Sequence, residues 1–415
     1  MLPPAPGLVH MRGMTRSPRS AIVVGAGPAG LAAAELLGEA GWRVTIHERM
    51  PNPARKFLLA GRGGLNLTHS EPLEAFLDRY GAARSHLEPA IRAFTPADLR
   101  AWCEGLGIET FVGSSGRVFP KQMKASPLLR AWLARLASLG VQLVPRSRWT
   151  GWDGDALTFE TPDGPRTDKA DAHIFALGGA SWPRLGSDGS WQAAFLARGA
   201  HITPLQPANS GFRVQWSDVF REKWAGTPIK RASFRCGDVV VHGEAMITDY
   251  GLEGGAIYAL GATLRAAMEP QLELILELDL QPHQSPQTLS DRLTTPRKDS
   301  TANRLRKAGL PPAAVSVLRE DVGGPTLPVD PTALARRVKQ LRLRLTGVAG
   351  IDRAISTAGG VTWDSVNVDY SLKVDPRTFL AGEMLDWEAP TGGYLLQACF
   401  ATGRMAAQGA LARFA

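Results

Sequence analysis

Residues 21–31, Ala-Ile-Val-Val-Gly-Ala-Gly-Pro-Ala-Gly-Leu, leave the start of this chain little choice of fold. The apolar run from Ala21 to Val24 predicts a short strand buried on both faces, as in a parallel sheet. It runs straight into Gly25-Ala26-Gly27-Pro28-Ala29-Gly30, after which residues 31–37 carry helical spacing. Each glycine has a separate task. Gly25 permits the tight turn, Gly27 lets backbone approach a pyrophosphate, and Gly30 lets the helix pack close to the strand. The helix start offers unpaired N–H groups and a positive dipole end to that pyrophosphate. Residues 43–48 predict a second strand ending in Glu48, 18 residues after Gly30. A carboxylate there accepts hydrogen bonds from an adenosine ribose and repels a 2′-phosphate. FAD or NAD therefore fits better than NADP. Arg49, directly after it, joins the candidate cofactor-binding residues.

A chain of 415 residues is too long for one core. With 44% hydrophobic and 21% charged residues it has the composition of a soluble globular protein, and no stretch has membrane-spanning length. Residues 1–19 bear proline and arginine without an apolar centre or cleavage site, so they read as a disordered tail rather than a secretory signal. A cytoplasmic location is expected. Cys103, Cys236 and Cys399 are far apart without a C-x-x-C pair, which argues against disulfides, zinc or a redox dithiol. The net charge of +8 permits an anionic partner without requiring one, because the basic residues are scattered.

The segment 52–70 holds three glycines in four residues (Gly61-Arg62-Gly63-Gly64), preceded by Arg55 and Lys56 and followed by Asn66. As a cofactor loop it would use Arg55, Lys56 and Arg62 against the pyrophosphate and Asn66 on a ring edge; the alternative is a surface loop. Residues 71–139 predict a small helical subdomain, with Thr95 and Ser126 as N-caps. Arg117 between these helices is either anion-facing or solvated. Residues 141–169 predict an antiparallel meander of four short strands, the first at 141–144, and 172–179 an apolar strand ending in Gly178-Gly179. Residues 198–345 change character and are expected to form an inserted α+β domain, with strands in its first half, a strand at 271–280 and basic helices at 299–307 and 331–343. No second G-x-G-x-x-G occurs.

Residues 346–415 return to the first pattern. Residues 377–383 predict a buried strand ending in Gly382-Glu383, and Gly392-Gly393-Tyr394 opens a long small-residue helix. FAD is long enough to reach from Glu48 to this tail. Glu383 would bond its ribityl or pyrophosphate region, and the helix start beside Gly392, Gly393 and Tyr394 would stabilise negative charge on a reduced ring. The alternative is a C-terminal helix that only packs.

Taken together, residues 25–30, 61–66, 116–120, 176–181, 247–252, 357–361, 380–383 and 392–394 resemble the YhiN/BaiN-like flavoproteins of the glutathione-reductase-type FAD superfamily. The resemblance covers Ser20 to the C-terminus. It implies an α/β fold: a Rossmann-like FAD-binding domain (20–197 and 346–415) with a β-meander, interrupted by a barrel-like insert at 198–345. It also implies that Trp149 offers backbone to the adenine, and that the activity is NAD(P)/FAD-dependent oxidoreduction, one branch reducing carbon–carbon double bonds in steroid-like acids. Leu65 departs from the usual cysteine, and Asp249 with Glu253-Gly254-Gly255 departs from a histidine and Ser-Gly-Pro.

The function expected is an FAD-dependent oxidoreductase passing hydride through flavin N5 to a small unsaturated or carbonyl substrate, with NAD(P)H as a visiting reductant. Alternatives are a flavin-binding sensor or scaffold, and an FAD protein that modifies RNA. No acid–base pair stands out; Asp249 and Tyr250 are the candidate proton donors, and a solvated hinge is the other reading of both. Neither the substrate nor the oligomeric state follows from the residues.

Overall fold

The computed structural model describes residues 18–268, 273–294 and 299–415. Strand β1 (Ser20–Val24) lies inside a six-stranded sheet, because all four of its apolar residues are buried and both of its edges are paired. On one side stand β2 (Arg43–Glu48) and Gln142–Pro145; on the other, Ala172–Phe175, Asp375–Leu380 and Ser371–Leu372. All neighbours run parallel except the last pair, a tight hairpin. Helix α1 (Pro28–Glu39) joins β1 to β2 and packs on the C-terminal helix Tyr394–Arg413. Residues 1–17 of the expected tail lie outside the described residues, whereas Arg19 pairs with Asp171 at 3.0 Å at the amino end of β1.

Residues 142–145 correct an expectation. They do not open the meander but pair in parallel with β2, because the helix Ala125–Ser138 before them makes a crossover back to the sheet. The meander keeps three strands, Arg148–Asp153, Ala156–Thr161 and Gly164–Asp168. Among the helices, Thr95 forms a reciprocal capping box with Asp98. Ser126 is not a cap, since its helix starts one residue earlier behind Lys124.

Glu35 ties α1 to this helical region. Its buried carboxylate accepts from the indole Nε1 of Trp132 at 2.7 Å and of Trp102 at 3.1 Å, and from Arg135 Nε at 2.6 Å. Glu35→Ala would leave these donors without an acceptor, each at about 1–3 kcal/mol if it finds no water. Arg135 and Trp102 keep partial access to solvent, so a loss of about 2–3 kcal/mol is expected. The urea midpoint, at unchanged m-value, measures it.

A second core draws its members from Phe212 to Leu345 and fills a closed six-stranded barrel. In barrel order the strands are Phe212–Val214, Gly251–Glu253, Val239–Ile247, Pro228–Cys236, Leu274–Asp279 and Leu341–Val348, the last closing on the first. Here the expected helix 331–343 is corrected: the helix is Pro331–Lys339, and a strand follows. Leu341, Leu343 and Leu345 are buried while Arg342 and Arg344 are exposed, a period of two that only a strand can place on one face. Strand Ile202–Ala208 pairs with Ser356–Val361 beside the first core, on which Ile202 and Leu205 pack.

Candidate cofactor site

The parallel strands end at a cleft of about 490 Å³, where open α/β sheets take their ligands. Its floor is the turn after β1. Gly25 has φ +102°, and a Cβ there would stand 2.4 Å from the Ala176 carbonyl oxygen of the neighbouring strand end. A Cβ on Gly30 would come within 1.9 Å of the Gly25 carbonyl, so this glycine serves helix packing. Gly27 differs. Its backbone is extended, with φ −81°, and a Cβ on it would meet no protein atom within 4 Å. The space it leaves open belongs to the cleft. Pro28 occupies the first helical position of α1, no side chain caps the helix, and its first turn has no acidic residue. The helix start is thus a free anion site.

Glu48 closes the other side. Its Oε2 accepts the Ala26 N–H at 2.9 Å and its Oε1 the Met50 N–H at 2.8 Å. Burial pushes its carboxyl pKa up, against the pull of these two amides and of Arg49 and Arg55. One bond per oxygen leaves each a further lone pair for ligand hydroxyls.

The cleft wall gathers Gly25, Gly27, Pro28, Ala29, Glu48, Arg49, Lys56, Trp149, Gly178, Gly382 and Glu383. Ala26 enters through its backbone and Gly30 lies behind the turn. Two of these side chains are paired within the protein. Arg49 pairs with Asp188, a second wall residue. Lys56 Nζ is held by Glu383 Oε2 at 2.7 Å and Ser181 Oγ at 2.6 Å, so its charge is answered inside the protein. Arg55, also on the wall, is in no ion pair among the described residues, whereas Arg148 is held by Glu160. Glu383 Oε1 in turn accepts the Thr357 N–H at 2.9 Å.

Gly63, Asn66, Gly392, Gly393 and Tyr394, all expected site residues, stand outside this wall. Gly63 is exposed in the turn Gly61–Gly63; Arg62 lies in the same turn, with its side chain outside the described residues. Asn66 keeps a buried Oδ1 without a partner. Gly392 and Gly393 precede the C-terminal helix, Gly393 against the Thr68 backbone. The Tyr394 ring packs on Phe76 (centroids 4.9 Å apart), and its hydroxyl donates to Glu71 Oε1 at 2.5 Å. Tyr394 is thus an anchor of the helical region. Leu65 is fully buried, Asp249 is exposed on the barrel, and Tyr250 donates to Glu253 Oε2 at 2.6 Å.

Wall residues without a motif of their own are His47, Ser147, Leu185, Ser187, Asp188 and Cys399. His47 stands one residue from Glu48 and Ser147 two from Trp149; no sequence feature points to the others. Trp149 lines the cleft while its ring packs among Trp152, Phe175 and Phe195, and its indole Nε1 is buried without a hydrogen-bond partner. A second cleft, of about 600 Å³, is lined by Tyr80, His86, Asn209, Tyr258, Trp363 and Trp387 among others. Trp387 Nε1 donates to the Gly382 carbonyl at 2.9 Å and so links the two clefts. Among the described residues no helix is long and apolar enough to cross a membrane, and no group of three or more His, Cys, Asp or Glu could hold a metal ion.

The glycine turn, the parallel strands and the barrel all fall within the span of one family's model. That model, the HI0933-like protein Rossmann domain, matches residues 19–409. The chain belongs to this family. Over 414 residues it is 26% identical to a 3-dehydro-bile acid delta(4,6)-reductase of Clostridium scindens, covering 94% of this chain and 98% of that protein. It is 24% identical to the ribosomal RNA dihydrouridine synthase of Escherichia coli, with the same coverage of both. Among solved structures, a 3-ketosteroid delta1-dehydrogenase of Sterolibacterium denitrificans shares the fold. Its TM-score is 0.53 at 13% identity, over 95% of this chain and all of that one. The resemblance to the YhiN/BaiN-like proteins and the expected Rossmann architecture with a barrel both hold.

Proposed function

We propose that this HI0933-like chain is an FAD-dependent oxidoreductase that adds hydrogen across a conjugated carbon–carbon double bond. The observation that carries the reading is the cleft floor. An extended glycine with open space over it, an uncapped helix start and a buried carboxylate fit a pyrophosphate flanked by a ribose. The names of two relatives point to one chemistry, since a delta(4,6)-reductase and a dihydrouridine synthase each saturate a double bond. FAD, when bound, would supply hydride transfer at its N5. The chain would bind the pyrophosphate at α1 and hold the ribose at Glu48, while the second cleft, walled by aromatic rings, receives a flat substrate. NAD(P)H enters as a visiting reductant, because only one dinucleotide fingerprint occurs.

Purified protein is expected to be yellow and to release FAD on denaturation, and NADH or NADPH to bleach it under anaerobic conditions. A colourless protein that FAD cannot reconstitute would sink the reading; a yellow one that neither nicotinamide bleaches would confine it to the cofactor. A second reading, an enzyme of RNA, is favoured by the likeness to the dihydrouridine synthase and the net charge of +8. Salt-sensitive RNA binding separates the two.

A further inference from the structure

We propose that Ser147 is a specificity-determining residue for the adenosine half of the cofactor, set as an acceptor-only group by the buried pair His47 and Asp168. The inference rests on the FAD reading above. His47 precedes Glu48 in β2, and its ring is stacked on Phe159 of the meander at 3.8 Å between centroids. On one side its Nδ1 lies 2.8 Å from Ser147 Oγ. On the other, Nε2 lies 3.1 Å from Asp168 Oδ2, off the line of a good hydrogen bond but facing a carboxylate. A lone pair on Nε2 would lie beside that negative charge, whereas a proton there is attracted to it, so the neutral ring carries its proton on Nε2. Burial keeps the ring neutral, with its pKa lowered to about 4.

The consequence reaches Ser147. With Nδ1 unprotonated, Ser147 must donate its hydroxyl proton to it. Its Oγ then has only lone pairs left to offer. The residue is 1% exposed and lines the cleft, and its own N–H donates to the Glu48 carbonyl at 2.9 Å. With the pyrophosphate at Gly27 and the ribose at Glu48, Ser147 stands on the adenosine side. Glu48 and Ser147 make this an acceptor corner, and the matching ligand group is a donor: the exocyclic amine of adenine or a ribose hydroxyl. An inosine base would present a carbonyl in place of the amine.

The test uses the full chain stripped of flavin, with ADP, inosine diphosphate and 2′- and 3′-deoxy-ADP competing against FAD, whose fluorescence reports binding. Ser147→Ala is expected to weaken FAD and ADP about 5- to 20-fold. If the partner is the amine, wild type prefers ADP to the inosine nucleotide about tenfold and Ser147→Ala loses most of that preference. If it is a ribose hydroxyl, the loss falls on one deoxy arm instead; either result supports the proposal. Ser147→Cys, close in volume and a poor acceptor, gives the same pattern should the alanine variant fold badly. His47→Phe keeps the stacked ring, frees the Ser147 proton, and is expected to lower the same ratio without touching FMN binding. Unchanged ratios in both Ser147 variants would overturn the proposal, and an unchanged ratio in His47→Phe its positioning half. A wild-type chain that binds neither FAD nor ADP would overturn the cofactor reading itself, and this proposal with it.

Discussion

Gly27→Val is expected to fold like the parent and lose FAD affinity by about 100-fold or more, the worth of roughly 2.7 kcal/mol. The two halves of that result have separate causes. Gly27 has a φ of −81° that any residue adopts, and a Cβ on it would meet no protein atom within 4 Å. A valine therefore displaces nothing in the protein and everything a pyrophosphate would occupy. Gly30→Ala is the contrasting control. Its Cβ would come 1.9 Å from the Gly25 carbonyl, so strand and helix must separate and stability falls before binding is at issue. Titration with FAD and thermal unfolding of both variants separate the effects. Parental FAD affinity in Gly27→Val would mean that no backbone-contacting phosphate lies over the turn.

The contrast also says what a sequence can disclose. The strand, turn, helix and carboxylate from Ala21 to Glu48 are legible because their contacts are local or lie one strand apart: the Glu48 carboxylate meets the Ala26 N–H 22 residues away within one βαβ unit. The Rossmann fold and the family follow from that unit and the glycine pairs that return near the C-terminus. Contacts across the chain are not legible. Lys56 reads as a free cation beside a glycine loop, and only the fold brings Glu383 to it across 327 residues. Tyr394 reads as the opening of the last helix, and only the fold brings Glu71, 323 residues away, to its hydroxyl. His47 and Ser147 carry no motif because each is ordinary until the strand end and the meander meet. Leu341 to Leu345 misled for another reason. A leucine–arginine alternation after a basic helix continues its composition, and its period of two appears only over five residues.

Acid should destabilise this protein well above the pH at which most carboxylates titrate. His173 lies on a central strand with both ring nitrogens buried and without hydrogen-bond partners among the described residues. Burial and the nearby Arg377 and Arg198 outweigh the attraction of Asp375 and lower its pKa to about 4. His47 is lowered to about 4 as well, burial outweighing Asp168. In the unfolded chain both take up protons near pH 6.5. The stability they hold is therefore fully present above pH 6.5 and lost as pH falls from there through 4. Each accounts for roughly 3 kcal/mol, so together they reach a large part of an ordinary folding free energy. Glu48 works the other way: its raised carboxyl takes up a proton more readily in the folded state and offsets part of the loss as pH falls. One carboxyl against two histidines leaves the net sign unchanged. Urea midpoints of the flavin-free protein are expected to fall steadily between pH 7 and 4.5. His173→Leu, similar in volume and without a proton to take up, should fall about half as steeply. A wild-type midpoint that stays level over that range would show that water or a local rearrangement lets these rings charge inside the folded protein.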